Sequence, residues 1–394
     1  MNYETTKQAA ARLGIPVRTI QLWVKENKIP GAVRQGRSWM IPADFEPAGR
    51  GVTQGGHTDH GGPAHDAMPL MNSAYPVGSC KEFIATIRDW DIRMIAWGEY
   101  YYFSGQAELA VQTMEPYRDS DDPVLRYSAN LVLFFASFTR GRIPQAMQAF
   151  EQMQADFQGD LQQEASPALK AIGAFAVTAS SVLLHLPMTV DVDLKQYIPH
   201  LPEGMKLWAC YMLAHRMYLE KNYHGSLAVA ELALSMSAQL YPVAAVYLHL
   251  VVVMNLMSLR RVGEARQRIA QAWELALPDD LIEPFGEHHG LLQGMIERFF
   301  QKDDPETYER IIAITYRFSA GWRKIHRLVS NREVADNLTT TEFSIAMLYN
   351  RGWTAKEIAA YMNLSPRTIT NAIQVIYQKL GISGKRELGQ FMLA

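Results

Sequence analysis

The stretch from Leu338 to Ala394 restricts the fold of this chain more than any other part of it. Apolar residues recur there at helical spacing in successive runs, each bounded by residues that start or stop helices. Thr340 or Thr341 can cap a helix carrying Phe343, Ile345, Ala346 and Leu348, and Arg351-Gly352 ends it. Thr354, with Glu357 three residues on, forms a capping box for a short helix with Ile358, Ala359 and Met362 on one face. Asn363-Leu364 makes a tight corner, and Ser365-Pro366 opens a longer helix. Its inner face is Ile369, Ile373, Ile376 and Leu380; its outer face is Arg367, Thr370, Asn371, Gln374, Gln378 and Lys379. A short helix, a corner and a longer helix with a polar outer face make a helix-turn-helix, whose second helix fits the DNA major groove.

The runs L-T-x-x-E (Leu338 to Glu342), K-E-I-A (Lys356 to Ala359), L-S-P-R-T-I (Leu364 to Ile369), I-Y-x-K-L-G (Ile376 to Gly381) and R-E-L (Arg386 to Leu388) resemble the LuxR-type DNA-binding domain. The resemblance implies a four-helix fold, double-stranded DNA as partner, and dimerisation through the final helix, Lys385 to Leu393. In that family the outer face of the recognition helix is usually basic. Here it carries the neutral Thr370, Asn371, Ala372 and Gln374. By resemblance Thr370, Asn371 and Gln374 face bases, with Thr368 beside them. Asn and Gln can pair bidentately with adenine, and Thr is less selective. Lys356, Arg367 and Lys379 are expected on phosphates, positioning the domain without reading sequence.

The chain starts with a second segment of this kind. Thr5 or Thr6 can cap a helix through Leu13, Gly14-Ile15-Pro16 forms a turn, and Val17 to Glu26 forms a second helix with Ile20, Trp23 and Val24 inward. Ala32 to Arg34 and Ser38 to Ile41 read as strands around a Gln35-Gly36-Arg37 turn. The runs T-T-K-Q-A-A-A-R-L-G-I-P-V-R-T-I-Q-L-W and R-S-W-M-I-P resemble the small winged helix-turn-helix of the excisionase and MerR-like group. The resemblance puts Arg18, Thr19 and Gln21 or Lys25 in the major groove. Arg34 and Arg37 on the wing reach backbone or minor groove, where negative potential favours arginine. Trp23 and Trp39 fall at apolar positions and read as core.

Charge follows the same division. The net charge of -2 hides mildly basic ends, with 8 Lys/Arg against 4 Asp/Glu in residues 1–50 and 7 against 5 in residues 331–394, on an acidic middle. Residues 48–79 are rich in Gly, Pro and small polar residues and read as a flexible linker. His57, Asp59, His60, His65 and Asp66 lie there with no element to fix them, so no metal site is expected. Cys80 and Cys210 are far apart in sequence and read as free thiols.

From Lys81 to Ser330 nearly everything reads as helix. Four segments, starting at Ala96, Ala136, Ala214 and Asn255, share a bulky apolar helix, a turn and a second helix rich in Ala. The turns are expected near Gly105, Gly141, Asn222 and Gly263, with a degenerate repeat between Leu184 and Asp193. Paired helices repeating at about 34–45 residues signal a TPR-like solenoid, and the middle resembles the TPR-like region of some larger LuxR-type regulators. Its concave face could take a peptide, a partner or a small effector. Trp90, Trp97, Tyr100 to Tyr102, Trp208 and Tyr211 either line that face or fill the core. His185, His215, His249, His288 and His289 show no metal-ligand grouping. Ala168 to Leu186 and Pro242 to Leu259 approach the length of a bilayer span, but their polar residues fit buried helices. Thr307 to Val329 is expected as one long helix.

The fold expected is mainly α: a winged helix-turn-helix (1–47), the linker (48–79), a TPR-like body (80–330) and a LuxR-type domain (331–394). No P-loop, G-x-G-x-x-G or G-x-S-x-G occurs, so no enzyme and no cofactor is expected. The function expected is that of a cytoplasmic, dimeric, sequence-specific transcriptional regulator whose middle senses an effector or partner. The alternative is an interaction scaffold whose end domains serve as docking surfaces.

Overall fold

The computed structural model describes residues 3–13, 17–25, 29, 32–35, 38–43, 66–184, 192–330 and 338–392. The N-terminal head contains β1 (Tyr3–Thr5), α1 (Thr6–Leu13), α2 (Val17–Lys25), β2 (Val33–Gln35) and β3 (Ser38–Pro42). The two expected strands are present, and β1 adds a third that three residues give too little pattern to announce. The sheet order is β1-β3-β2, antiparallel throughout, with Glu4 opposite Ile41 and Arg34 opposite Trp39. Ala9, Ala10, Ile20, Val24 and Ile41 form its core. Glu4 on β1 accepts from Arg12 Nε at 2.9 Å, tying the extra strand to α1.

The body begins earlier than expected. Ala67, Met68 and Leu70 have no exposed surface, and the backbone N–H groups of Leu70 and Met71 donate to the buried Glu99 carboxylate at 2.8 and 3.1 Å. The expected linker of 48–79 therefore stops short of residue 66, because 66–79 is packed into the helical array. Residues 51–65, with His57, Asp59, His60 and His65, lie outside the described residues.

The repeats are helical hairpins: α3 (Cys80–Thr86) leads into α4 (Trp90–Phe103) with α5 (Ala107–Met114), and α6 (Pro123–Thr139) pairs with α7 (Ile143–Gln162). After α8 (Pro167–Leu184) come α9 (Glu203–Leu219) with α10 (Tyr223–Met236), and α11 (Pro242–Ser258) with α12 (Val262–Ala276). Each pair turns the same way. One left-handed residue follows the first helix, and the next amide bonds back to the carbonyl five residues before it: Gln106 to Tyr101, Arg142 to Ser137, Asn222 to Met217 and Arg261 to Leu256. This is the Schellman closure of a helix end. Gly105 and Gly141 supply the positive φ in the first two hairpins, as expected. In the other two the turns also fall near Asn222 and Gly263, and the left-handed residues are Lys221 (φ 62) and Arg260 (φ 61). Asn222 instead caps α10 through the Gly225 amide, and Gly263 lies in the first turn of α12. Most of the expected degenerate repeat, residues 185–191, lies outside the described residues, and two 3-10 turns (Leu194–Gln196 and Ile198–His200) follow it before α9. Among the described residues α8 is the one helix long and apolar enough to cross a membrane, and two thirds of it is buried within the protein.

The concave face is already occupied. After α12, the chain returns as α13 (Glu283–His288), α14 (Met295–Phe300) and α15 (Pro305–Ser330). α13 meets the first helix of every complete hairpin. Glu287 accepts from the hydroxyls of Tyr102 on α4 and Tyr247 on α11, His288 from Tyr211 on α9, and Glu283 from Thr139 on α6. α15 packs against α6 so closely that a Cβ on Gly321 would lie 2.5 Å from the Phe138 carbonyl. Of the aromatic residues offered for the concave face, Trp90, Trp97, Tyr100 to Tyr102, Trp208 and Tyr211 are all buried, so they are core. The long helix expected over 307–329 is thus present as a packed element of the body.

Candidate nucleic-acid interface

The C-terminal head comprises α16 (Thr340–Asn350), α17 (Ala355–Met362), α18 (Pro366–Leu380) and α19 (Lys385–Leu388). Two capping boxes set the first two helices: Thr354 with Glu357 as expected, and Thr339 with Glu342. Thr340 and Thr341 are inside α16, since only Thr339 has a glutamate three residues on to close the box. Gly352 (φ 85) and Asn363 (φ 58) turn the chain between helices in the left-handed conformation. Ser365 accepts from the Thr368 amide at 3.0 Å and opens α18 with Pro366 at its first position. These local bonds fix the angle at which α18 leaves the corner. Ile369, Ile373 and Ile376 then bury one face.

The opposite face of α18 is open. Arg367, Thr368, Thr370, Asn371 and Gln374 are all exposed, on consecutive turns of one side of the helix. Two of them have local bonds: Thr368 shares its hydroxyl with Ser365 at 2.8 Å, and Thr370 donates to the Pro366 carbonyl at 3.0 Å. Lys356 is exposed near the start of α17. Lys379 stands differently from the others. Its ammonium lies 2.8 and 2.7 Å from the two oxygens of Glu342, clamping α18 to α16. Partial burial opposes ionisation of Glu342, but the Lys379 ammonium and the Thr339 amide outweigh it and hold the carboxyl below its ordinary range. Much of the Lys379 charge is therefore used inside the domain. α19 is shorter than the expected Lys385 to Leu393. Its Leu388, and Met392 beyond it, are buried in the head's own core.

In the N-terminal head, Arg18 and Gln21 are exposed on α2, and Arg34 is exposed on β2 at the base of the wing. Thr19 and Lys25 are on α2, but their side chains, like the whole of Arg37, lie outside the described residues. Trp39 is half-buried against the core, as expected.

Two arginines that the sequence reading passed over join the C-terminal head to the body. Arg351, at the end of α16, donates to Ser258 Oγ at 2.5 Å, Tyr218 Oη at 2.6 Å and Tyr223 Oη at 3.2 Å. Its guanidinium lies 5.4 and 5.5 Å from the centres of the two tyrosine rings. Arg260, the left-handed residue between α11 and α12, reaches the other way. It donates to the Gly352 carbonyl at 2.8 Å, pairs with Glu357 at 3.2 Å and covers the Trp353 ring. Deeper in the same contact, the buried Ser344 donates to Glu297 at 3.2 Å, and Glu297 pairs with His289 at 2.9 Å. A strained residue that delivers a side chain to a neighbouring domain is one visible signal; Arg260-Arg261 at a hairpin tip was the trace of it in the sequence.

Residues 336–392 match the family model described as bacterial regulatory proteins, luxR family, and residues 5–44 match that of a helix-turn-helix domain. No curated protein and no solved structure is significantly similar to the chain. Both ends of the chain are helix-turn-helix domains, and the C-terminal one is of the luxR type.

Proposed function

We propose that this DNA-binding regulator reads specific sequence through α18, with the N-terminal head making a second contact, and that it acts as a cytoplasmic homodimer whose body senses an effector. The observation that carries the reading is the open face of α18. Arg367, Thr368, Thr370, Asn371 and Gln374 stay exposed although the same head is fastened to the body through Arg351 and Arg260. Docking therefore leaves the recognition helix available. Asn371 and Gln374 supply the amides suited to base edges, and Lys356 and Arg367 supply phosphate contacts. With few charges on that face, a second copy and the Arg18–Arg34 face of the N-terminal head add the affinity one module lacks.

The scaffold alternative has less room in the body, because α13 and α15 pack along the concave face where a partner peptide would lie. The two readings separate in a genomic-fragment footprint of the full chain, compared with variants altered in one head at a time (Arg18→Ala with Arg34→Ala, or Asn371→Ala with Gln374→Ala). A discrete footprint lost with the C-terminal pair is expected, and its affinity should fall steeply with salt as counterions are released. Absence of any preferred fragment from low to moderate salt would overturn the proposal.

A further inference from the structure

The segment 283–330 packs along the inner face of the body and leaves an opening beside the C-terminal head. A cavity of about 180 Å³ remains where α15 and the corner after α13 face the C-terminal head. Phe318 and Trp322 of α15 line it from the body, and Phe343 of α16 and Phe391 line it from the head. All four rings are only half-buried. Glu287 is the one acid among the described lining residues. Protein encloses it, yet part of its surface remains accessible, and that surface faces the cavity.

The polar groups around the cavity are mostly committed elsewhere. His288 donates through Nδ1 to the Pro284 carbonyl at 2.8 Å and accepts from Tyr211 at 2.7 Å. His289 is paired with Glu297. Arg323, the only Lys or Arg among the described lining residues, has a partner of its own. Glu287 receives one hydroxyl on each oxygen, from Tyr102 and Tyr247. An ionised carboxylate has further acceptor capacity on each oxygen, so Glu287 can take another donor from the cavity side.

We propose that this cavity binds a small organic ammonium compound, a single ring carrying a primary amine, with the nitrogen against Glu287 and the ring among the four aromatic side chains. The size fits: a cavity of about 150 Å³ accepts benzene, and this one has room for a ring and a short chain. The chemistry fits as well. Aromatic faces attract a cation, and an enclosed carboxylate favours a partner of opposite charge. Burial raises the Glu287 carboxyl to about 7, against the lowering effect of the two tyrosine hydroxyls, so an arriving ammonium meets a group poised to ionise. Because two of the four rings belong to the head, occupancy is linked to how the head sits on the body. The proposal rests on the reading of the body as the sensing part of a regulator.

The experiment is calorimetric titration of the full chain with 2-phenylethylamine, 2-phenylethanol and 3-phenylpropionate. The amine should bind at least about tenfold more tightly than the alcohol or the acid, which corresponds to about 1.4 kcal/mol. Glu287→Gln, which keeps an acceptor for the tyrosines, should remove that advantage and leave the alcohol's affinity within about twofold. Phe391→Leu, at a half-buried position that threatens the fold little, should weaken all three compounds together. Equal binding of the three, no binding to the folded chain, or an amine preference that survives Glu287→Gln overturns the assignment. DNA affinity measured with and without the amine tests the linkage separately. A chain that binds DNA but not the amine rejects the site alone, whereas one that binds the amine but no DNA rejects the regulator reading and leaves the site standing.

Discussion

Replacing Arg351 by Met should release the C-terminal head from the body while leaving both folded. The thioether keeps most of the apolar stem that packs at the interface and removes only the charged end. That end makes three hydrogen bonds, to Ser258, Tyr218 and Tyr223, and lies over two tyrosine rings. Hydrogen bonds from a charged group are each worth about 1.5–3 kcal/mol, and a cation–π contact adds about 0.5–2. Against them stands the cost of holding the guanidinium partly out of water with its Nε atom unpaired. A net loss of roughly 2–4 kcal/mol is the balance we expect, an increase of about thirtyfold or more in the open fraction. Ser344 offers a reporter. It is fully buried against Glu297, across the same contact. A thiol introduced by Ser344→Cys can be alkylated only when α16 lifts from the body, so its labelling rate, read by peptide mass spectrometry, tracks the open fraction. Adding Arg351→Met should accelerate labelling at residue 344 by about thirtyfold. A change of less than about threefold would show that the docking does not depend on this arginine.

Within the recognition face, Asn371→Ala should relax base preference at one position by about 1–3 kcal/mol, while Arg367→Ala should weaken all sequences alike and flatten the salt dependence; a binding-site selection with each variant checks both, and unchanged preference in Asn371→Ala would reassign the base contact. The buried Glu99 should make the body less stable as pH rises. Burial raises its carboxyl from the ordinary 4.5 to about 8, against the two backbone amides that favour its ionised form. The folded state thus binds the proton that the unfolded state has already released, and stability present below about 4.5 is lost as pH rises through about 8. At about 1.4 kcal/mol per pH unit, the whole window is worth at most roughly 4–5 kcal/mol. Denaturant titrations of Glu99→Gln from pH 5 to 8 should show a clearly shallower decline than the parent; identical slopes would exclude Glu99 as the source.

The features written in short runs of sequence were those fixed by short-range physics. T-x-x-E boxes, Ser-Pro at a helix start, Gly352, Asn363 and the isoleucine stripe of α18 act within one or two turns of chain, so both helix-turn-helix heads were legible, and with them the outward residues of α18. The Thr339–Glu342 box obeys the same rule, since of three consecutive threonines only Thr339 has a glutamate three residues on. Glycine is only the commonest left-handed residue. Lys221 and Arg260 take that conformation where the packing of two helices requires it.

Other features depend on residues far apart in sequence meeting. Nothing in the composition of 283–330 says that it folds back across α4, α6, α9 and α11, because that path is set by which apolar faces remain uncovered once the hairpins have stacked. The same return brings Glu287 between Tyr102 and Tyr247 and closes the cavity beneath Phe343. It also places Glu297 under Ser344, whereas Arg351 finds its partners at the ends of α9, α10 and α11, and Arg260 reaches from the body to Gly352, Trp353 and Glu357 in the head. By itself the sequence determined two DNA-binding heads on a helical body. The tertiary structure decided that one head is fastened to that body with the polar face of α18 outward, since a docking surface consists of side chains that only folding makes neighbours.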